Sequence, residues 1–189
     1  MLSNHIGANV LGISRDGYAI CWIQNTRAQH NNEEIVPTGA GSMDWTDLLD
    51  VRKNGPSDFI RLIAYAMGRE LAEESSFGKL TKSDLLHLAK SVKVIGSFRW
   101  LMRGAKPEFI GLVKLTRSAQ EFMADQREVE RVDRFGRILQ FFPFRDKKTA
   151  IEFCDAIESS DENPPSLPLW VISKRIRELV SVNMLNEFF

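Results

Sequence analysis

The chain opens on two runs of apolar and β-branched residues, Ile6–Ile13 and Tyr18–Gln24, on either side of Ser14-Arg15-Asp16-Gly17. Two such runs flanking an Asp-Gly dipeptide predict a β-hairpin, because that dipeptide tolerates the positive φ of a tight turn. Residues 25–33 are polar and predict a loop. In Ile35-Val36-Pro37-Thr38-Gly39-Ala40-Gly41-Ser42 a proline and two glycines predict a tight, irregular backbone. The spacing then changes from two to nearly four. Phe59, Ile60, Leu62, Ile63, Ala66, Met67 and Leu71 predict a helix over 58–75, with Ser57 or Asp58 as N-cap and a stop near Gly78. A short helix over 81–91 follows. Val92–Met102 and Phe109–Thr116 predict two strands joined by Arg103–Glu108 as a second hairpin. Gln120–Arg137 mixes charges of both signs and reads as a solvated helix or loop. Ile138–Phe144 predicts a strand ended by Pro143, and Lys147–Glu158 a helix. Ser159–Pro168 is the linker-like segment, and Leu169–Leu185 a last amphipathic helix.

A chain of 189 residues with this order of strands and helices predicts one layered α/β or α+β domain. With 43% apolar residues and 12 Phe, 4 Trp and 2 Tyr, it can bury a substantial core, which argues against disorder and against a coiled coil. Lys+Arg and Asp+Glu both number 25, so no global charge draws it to nucleic acid or to an anionic membrane. No apolar run approaches the ~20 residues of a membrane span, and the first residues lack a signal pattern, so a soluble, cytoplasmic protein is expected. Cys21 and Cys154 both lie in apolar surroundings, which predicts buried thiols rather than a disulfide or a thiolate metal site. His5, His30 and His87 have no metal-ligand spacing.

The candidate chemistry sits at the end of the 58–75 helix, in Arg69-Glu70-Leu71-Ala72-Glu73-Glu74. Helical spacing puts Glu70 within about a turn, ~5.4 Å, of Glu73 and Glu74. Like charges there repel and oppose the helix dipole, and a hard divalent cation with oxygen ligands removes both penalties. Mg²⁺ or Mn²⁺ is the expected ion. The plain reading of the same residues is a solvated helix end, with Arg69 and Glu73 as an i,i+4 pair.

This hexapeptide resembles the motif of the Nudix hydrolases: Gly, five residues, Glu, seven residues, then Arg-Glu-aliphatic-x-Glu-Glu-x-Gly-aliphatic. Arg69, Glu70, Leu71, Glu73, Glu74 and Phe77 match. The upstream Glu falls at Arg61 and the late Gly at Ser76. Gly55 satisfies the first spacing numerically. Pro37-Thr38-Gly39-Ala40-Gly41 is more similar to the Pro-Gly-Gly-like turn of the family, with Ser42–Asn54 as a loop inserted before the helix.

The resemblance implies a Nudix-like α/β/α sandwich with a mixed β-sheet over residues 1–165, and a C-terminal helical extension, 166–189, packed on the domain, on a second subunit as a homodimer, or on a partner protein. It implies metal-dependent hydrolysis of a nucleoside diphosphate linked to another group, with cleavage of a pyrophosphate bond. Carried over, Glu73 and Glu74 resemble metal ligands, Glu70 a ligand or water-activating base, Arg69 the residue that orients them, and Gly41 a carbonyl ligand. A distal ligand from a later loop would be Glu121, Glu128 or Glu130. Arg99, Arg103 and Lys106 are candidates for phosphate contacts, and Trp45 for stacking on a base from the inserted loop. Trp100 reads as a core residue. The departures at Arg61 and Ser76 favour a different reading, a Nudix-fold module that binds a nucleotide such as ADP-ribose without hydrolysing it. Lys174, Arg175 and Arg177 form a small basic patch on the last helix, too little to predict nucleic-acid binding.

Overall fold

The computed structural model describes residues 5–23, 34–53, 58–75, 80–122 and 138–189. It has the mixed α/β architecture expected, with seven strands among the described residues: β1 (Gly7–Ile13), β2 (Tyr18–Ile23), β3 (Ile35–Pro37), β4 (Gly39–Ser42), β5 (Val92–Trp100), β6 (Lys106–Lys114) and β7 (Ile138–Pro143). They are hydrogen-bonded in the order β3-β2-β1-β6-β5, with β4 also on β1 and β7 also on β2. The α-helices of eight or more described residues are α1 (Trp45–Lys53), α2 (Phe59–Glu74), α3 (Lys82–Ser91), α4 (Lys147–Glu158) and α5 (Leu167–Ser181). No helix among the described residues is long and apolar enough to cross a membrane. The chain forms two compact units, Met1–Val10 with Gly39–Val113, and Leu11–Thr38 with Lys114–Phe189.

In the first unit the N-terminal half of β1 pairs antiparallel with β4, Ala8 opposite Gly41 and Val10 opposite Gly39. β5 and β6 form the expected antiparallel hairpin, but its second strand starts earlier than the apolar run suggests, with Trp100 opposite Lys106. A 3₁₀ turn, Leu101–Arg103, takes the place of the end of the first strand. Helix α2 begins where Asp58 accepts a hydrogen bond from the Arg61 amide at 2.7 Å, and it buries Leu62, Ile63, Ala66, Met67 and Leu71. Thr81 and Asp84 close a reciprocal capping box at the start of α3.

Two expectations in this unit are corrected. The Pro-Thr-Gly-Ala-Gly segment is not an irregular turn but the end of β3 and the start of β4, and its glycines answer to sterics instead. A Cβ on Gly39 would lie 2.7 Å from the Leu71 Cα, so α2 crosses β4 closer than any side chain allows. Ser42–Asn54 is not an inserted loop either, for it contains α1. Asp44 Oδ1 accepts from the Thr46 amide and Asp47 Oδ2 from the Asp44 amide, which starts the helix, and Val51 packs with Leu62, Tyr65 and Ala89.

In the second unit β1 and β2 form the predicted hairpin, Gly12 opposite Ile20, turning at Gly17 with φ of +79°. β2 is flanked by β3 and β7. The segment Ser159–Pro168 is less of a linker than its composition suggests. Ile35 bridges Pro165 and accepts from the Ser166 amide at 2.8 Å, which lays the segment along β3 and lets α5 begin at Leu167, two residues earlier than expected, with Pro168 in its first turn. Cys21 and Cys154 are buried free thiols, and burial pushes both up, Cys154 to about 12.

Helices α4 and α5 are tied by Glu158, which accepts from Lys174 Nζ at 2.6 Å, Arg177 Nε at 3.0 Å and Ser173 Oγ at 3.0 Å. Burial raises this carboxyl, but the bonds from Lys174, Arg177 and Ser173 outweigh it and hold Glu158 below its usual range. A lowered folded-state value means stability that is present above the unfolded value and lost as pH falls through the folded one. Glu158→Gln is therefore expected to cost about 1–2 kcal/mol near neutral pH. The difference should vanish in acid, where the wild-type carboxyl is protonated too. Urea midpoints of both proteins between pH 3 and 7 measure this; a gap that persists at pH 3 would assign the loss to packing.

Candidate functional site

The C-terminal half of α2 lies along β4, which pairs only with β1 among the described strands. The outer edge of β4 therefore needs partners for its backbone groups, and α2 supplies them. Glu74 Oε2 accepts from the Ala40 amide at 2.9 Å and Glu70 Oε1 from the Ser42 amide at 3.1 Å. Ala40 and Ser42 are two residues apart and share an edge, as strand alternation requires. The absence of side chains at Gly39 and Gly41 makes the approach feasible, since a Cβ on Gly41 would meet the Glu70 carboxylate at 2.1 Å.

Arg69 sits at the centre of the polar network. Its Nε donates to Asp47 Oδ1 at 2.7 Å, Nη2 to Asp47 Oδ2 at 3.1 Å and to the Ser42 carbonyl at 2.8 Å, and Nη1 to Glu73 Oε2 at 3.0 Å. Glu70 Oε1 lies 3.0 Å from the same Nη2. Burial pulls the guanidinium's pKa down, but the hydrogen bond to Asp47 and the charges of Glu70, Asp47 and Glu73 overcome it, so Arg69 is held firmly cationic. Glu70 is 9% exposed, and burial is the main reason its carboxyl is raised; Arg69 opposes that shift and Glu73 adds to it.

Without a bound ion, Glu70, Glu73 and Glu74 leave one helix end in different directions. Glu70 and Glu74 are turned onto successive outward amides of β4, while Glu73 is more exposed and reaches back to Arg69. Among the described residues no group of three or more His, Cys, Asp or Glu side chains is disposed to hold a metal ion. The Gly41 carbonyl does not face α2. The backbone groups facing α2 are those of Ala40 and Ser42, and alternation turns the Gly41 carbonyl to the other edge.

The remaining candidates lie elsewhere. Trp45 is 68% exposed, at the first turn of α1 rather than on a loop. Arg99 is exposed and donates to the Ala105 carbonyl, and Arg103 stacks over the half-buried Trp100 ring at 4.2 Å, both in the β5–β6 hairpin. Lys106 is committed to the buried Glu108 at 3.0 Å, whose other oxygen accepts from Asn9 Nδ2 at 2.8 Å. Glu121 is an exposed partner of Arg15, in the second unit. Glu128, Glu130, Ser76, Phe77, Gly78, Gly55 and His30 fall outside the described residues.

Sequence reasoning missed Asp47, which is 1% exposed and takes both of its carboxylate oxygens to Arg69. A signal was there: Asp44-x-x-Asp47 ahead of Leu48 and Val51 is a helix-start pattern.

With this geometry in place, the comparison with solved structures is decisive for the fold. A NUDIX hydrolase from Alicyclobacillus acidocaldarius superposes with a TM-score of 0.62, covering 97% of this chain and 96% of that one at 14% identity. The fold is Nudix-like. No family model matches the sequence, and no curated protein matches it either. At 14% identity the likeness is one of backbone arrangement.

Proposed function

We propose that this Nudix-fold chain is a metal-dependent hydrolase that cleaves the pyrophosphate bond of a nucleoside diphosphate linked to another group. The observation that carries this reading is the pair of carboxylates, Glu70 and Glu74, seated on adjacent outward amides of β4 beside a locked Arg69. Asp47, Glu70 and Glu73 bring three negative charges around one guanidinium, and Glu74 adds a fourth on the last turn of α2, an acidic surplus that suits a cation.

The donor chemistry fits Mg²⁺ or Mn²⁺, since every candidate ligand is a hard oxygen. Mg²⁺ commonly binds through one or two carboxylates plus water and substrate phosphate, so no preassembled three-carboxylate cage is required. Glu70, Glu73 and Glu74 are the residues that would hold it. A bound ion supplies Lewis acidity toward a phosphoryl oxygen and a more acidic water. This chain's own residues do the rest: Arg69 holds Glu70 and Glu73, and the amides of Ala40 and Ser42 restrict where Glu74 and Glu70 can point. Trp45 is assigned to stacking on the nucleotide base, and Arg103 and Arg99 to phosphate or ribose contacts from the hairpin.

A panel of ADP-ribose, dinucleotide, nucleotide-sugar and nucleoside triphosphate, each with Mg²⁺ and with Mn²⁺, tests the proposal by product formation. Turnover of at least one diphosphate-linked compound is expected, abolished by chelator. The ion alone should also raise thermal stability, because binding only the native state adds about 2.7 kcal/mol at a hundredfold excess over Kd. No turnover across the panel, together with tight binding of one nucleotide, would replace the hydrolase by a binding module.

A further inference from the structure

We propose that Asp47 is the positioning residue of this site, clamping Arg69 from outside α2 so that Glu70, Glu73 and the Ser42 carbonyl keep one arrangement. The inference deepens the hydrolase reading and rests on it for its link to a metal. α2 has no acidic residue before Glu70, and position 61, eight residues before Arg69, carries an arginine. The carboxylate facing the Nε side of Arg69 comes from another helix.

Three observations make Asp47 more than one neighbour among several. First, its contact is the two-pronged one, Nε to Oδ1 at 2.7 Å and Nη2 to Oδ2 at 3.1 Å, which fixes the plane of the guanidinium as well as its position. With that plane fixed, Nη1 is aimed at Glu73 and Nη2 at the Ser42 carbonyl. Second, Asp47 is buried and further held by the Asp44 amide on Oδ2 at 2.7 Å, whereas Glu73 is a solvated side chain that cannot fix anything alone. Third, α1 is itself anchored to α2 independently of the ion pair. Val51 packs among Leu62, Tyr65 and Ala89, and Asp50 receives the Tyr65 hydroxyl at 3.3 Å and Lys82 Nζ at 2.5 Å. The clamp therefore has a rigid support. Both Asp47 oxygens are engaged, so the residue acts through Arg69 and is not itself a ligand.

The test compares wild type with Asp47→Asn, with Arg69→Lys and with Val51→Ala, which loosens α1 without touching the carboxylate. Two quantities are read: solvent exchange of the Arg69 Nε–H by NMR, and the Kd for Mn²⁺ alone, without nucleotide. Asp47→Asn is expected to speed that exchange at least about tenfold and to weaken Mn²⁺ by about ten- to a hundredfold, the range for losing a residue that orients a ligand. Val51→Ala should change both much less, because the two-pronged contact itself remains. Arg69→Lys, which keeps the charge but lacks the fork, should lose Mn²⁺ affinity similarly, and it decides the matter if Asp47→Asn does not fold. Unchanged Arg69 exchange in Asp47→Asn, unchanged Mn²⁺ affinity in Asp47→Asn or in Arg69→Lys, or an equal effect of Val51→Ala would overturn the proposal. A wild type that binds no Mn²⁺ and turns over nothing would overturn the hydrolase reading instead, and the exchange measurement would still decide whether Asp47 clamps Arg69.

Discussion

Gly39→Ala is expected to lower stability by about 3 kcal/mol or more. The new Cβ would stand 2.7 Å from both the Leu71 Cα and the Leu71 amide nitrogen, and 3.1 Å from Val10 Cγ1. Leu71 backbone atoms belong to α2, so relief requires the helix to lift from β4 rather than a side chain to rotate. At roughly 2–4 °C per kcal/mol for a chain of this size, the melting temperature should fall by about 6–12 °C. Gly41→Ala provides the contrast. Its Cβ would collide with the Glu70 carboxylate at 2.1 Å, a side chain that can swing away, so stability should fall by only about 1–2 kcal/mol. The cost appears in the site instead, because Glu70 would leave the Ser42 amide. Calorimetry of both variants checks the order; equal losses would mean that α2 lies less tightly on Gly39 than its Leu71 contact implies.

Glu74→Gln is expected to reduce turnover by about a hundredfold or more, a loss of roughly 2.7 kcal/mol in transition-state stabilisation, with the fold retained. The amide oxygen of Gln can still accept from the Ala40 amide, and Gln is as good a helix former as Glu. What disappears is the negative charge that a hard cation requires. That charge is unfavourable at a helix C-terminus crowded with Glu70 and Glu73, so the melting temperature of the metal-free variant should be equal to wild type or slightly higher. Glu70→Gln should also lose activity, with an added structural cost, since Glu70 is buried against Arg69 and the Ser42 amide. Initial rates and metal-free melting curves on the same preparations separate the two effects. A Glu74→Gln variant with near wild-type rates at low Mg²⁺ would remove Glu74 from the site.

Helices α2, α3 and α4 are legible because each combines a cap with a run of apolar spacing. Asp58 before α2, Thr81 before α3 and the agreement of Lys147–Glu158 with α4 are local matters that neighbouring residues decide among themselves. The Asp16-Gly17 hairpin is local in the same way. Where the reading failed, the deciding partner was remote in sequence. Gly39 and Gly41 look like turn residues until α2 is laid across them, and Ser159–Pro168 looks like a linker until Pro165 meets Ile35. The helix within Ser42–Asn54 is hidden from the sequence for a different reason: it is short and half exposed, so the apolar signal of Leu48 and Val51 is weak.

The sequence by itself determined that Arg69, Glu70, Glu73 and Glu74 share the end of one helix, because 3.6-residue periodicity needs only the chain's own hydrogen bonds. It also determined that the fold mixes strands and helices around a buried core, since the change from alternating to helical spacing is written in the order of apolar residues. Only the tertiary structure decided where those charges point. Unpaired amides on β4 draw Glu70 and Glu74 toward the strand, and a buried carboxylate from α1, 22 residues before Arg69, sets the guanidinium. The physical reason is that a buried charge takes whichever partner can satisfy it at short range. That partner is named by packing, not by spacing along the chain.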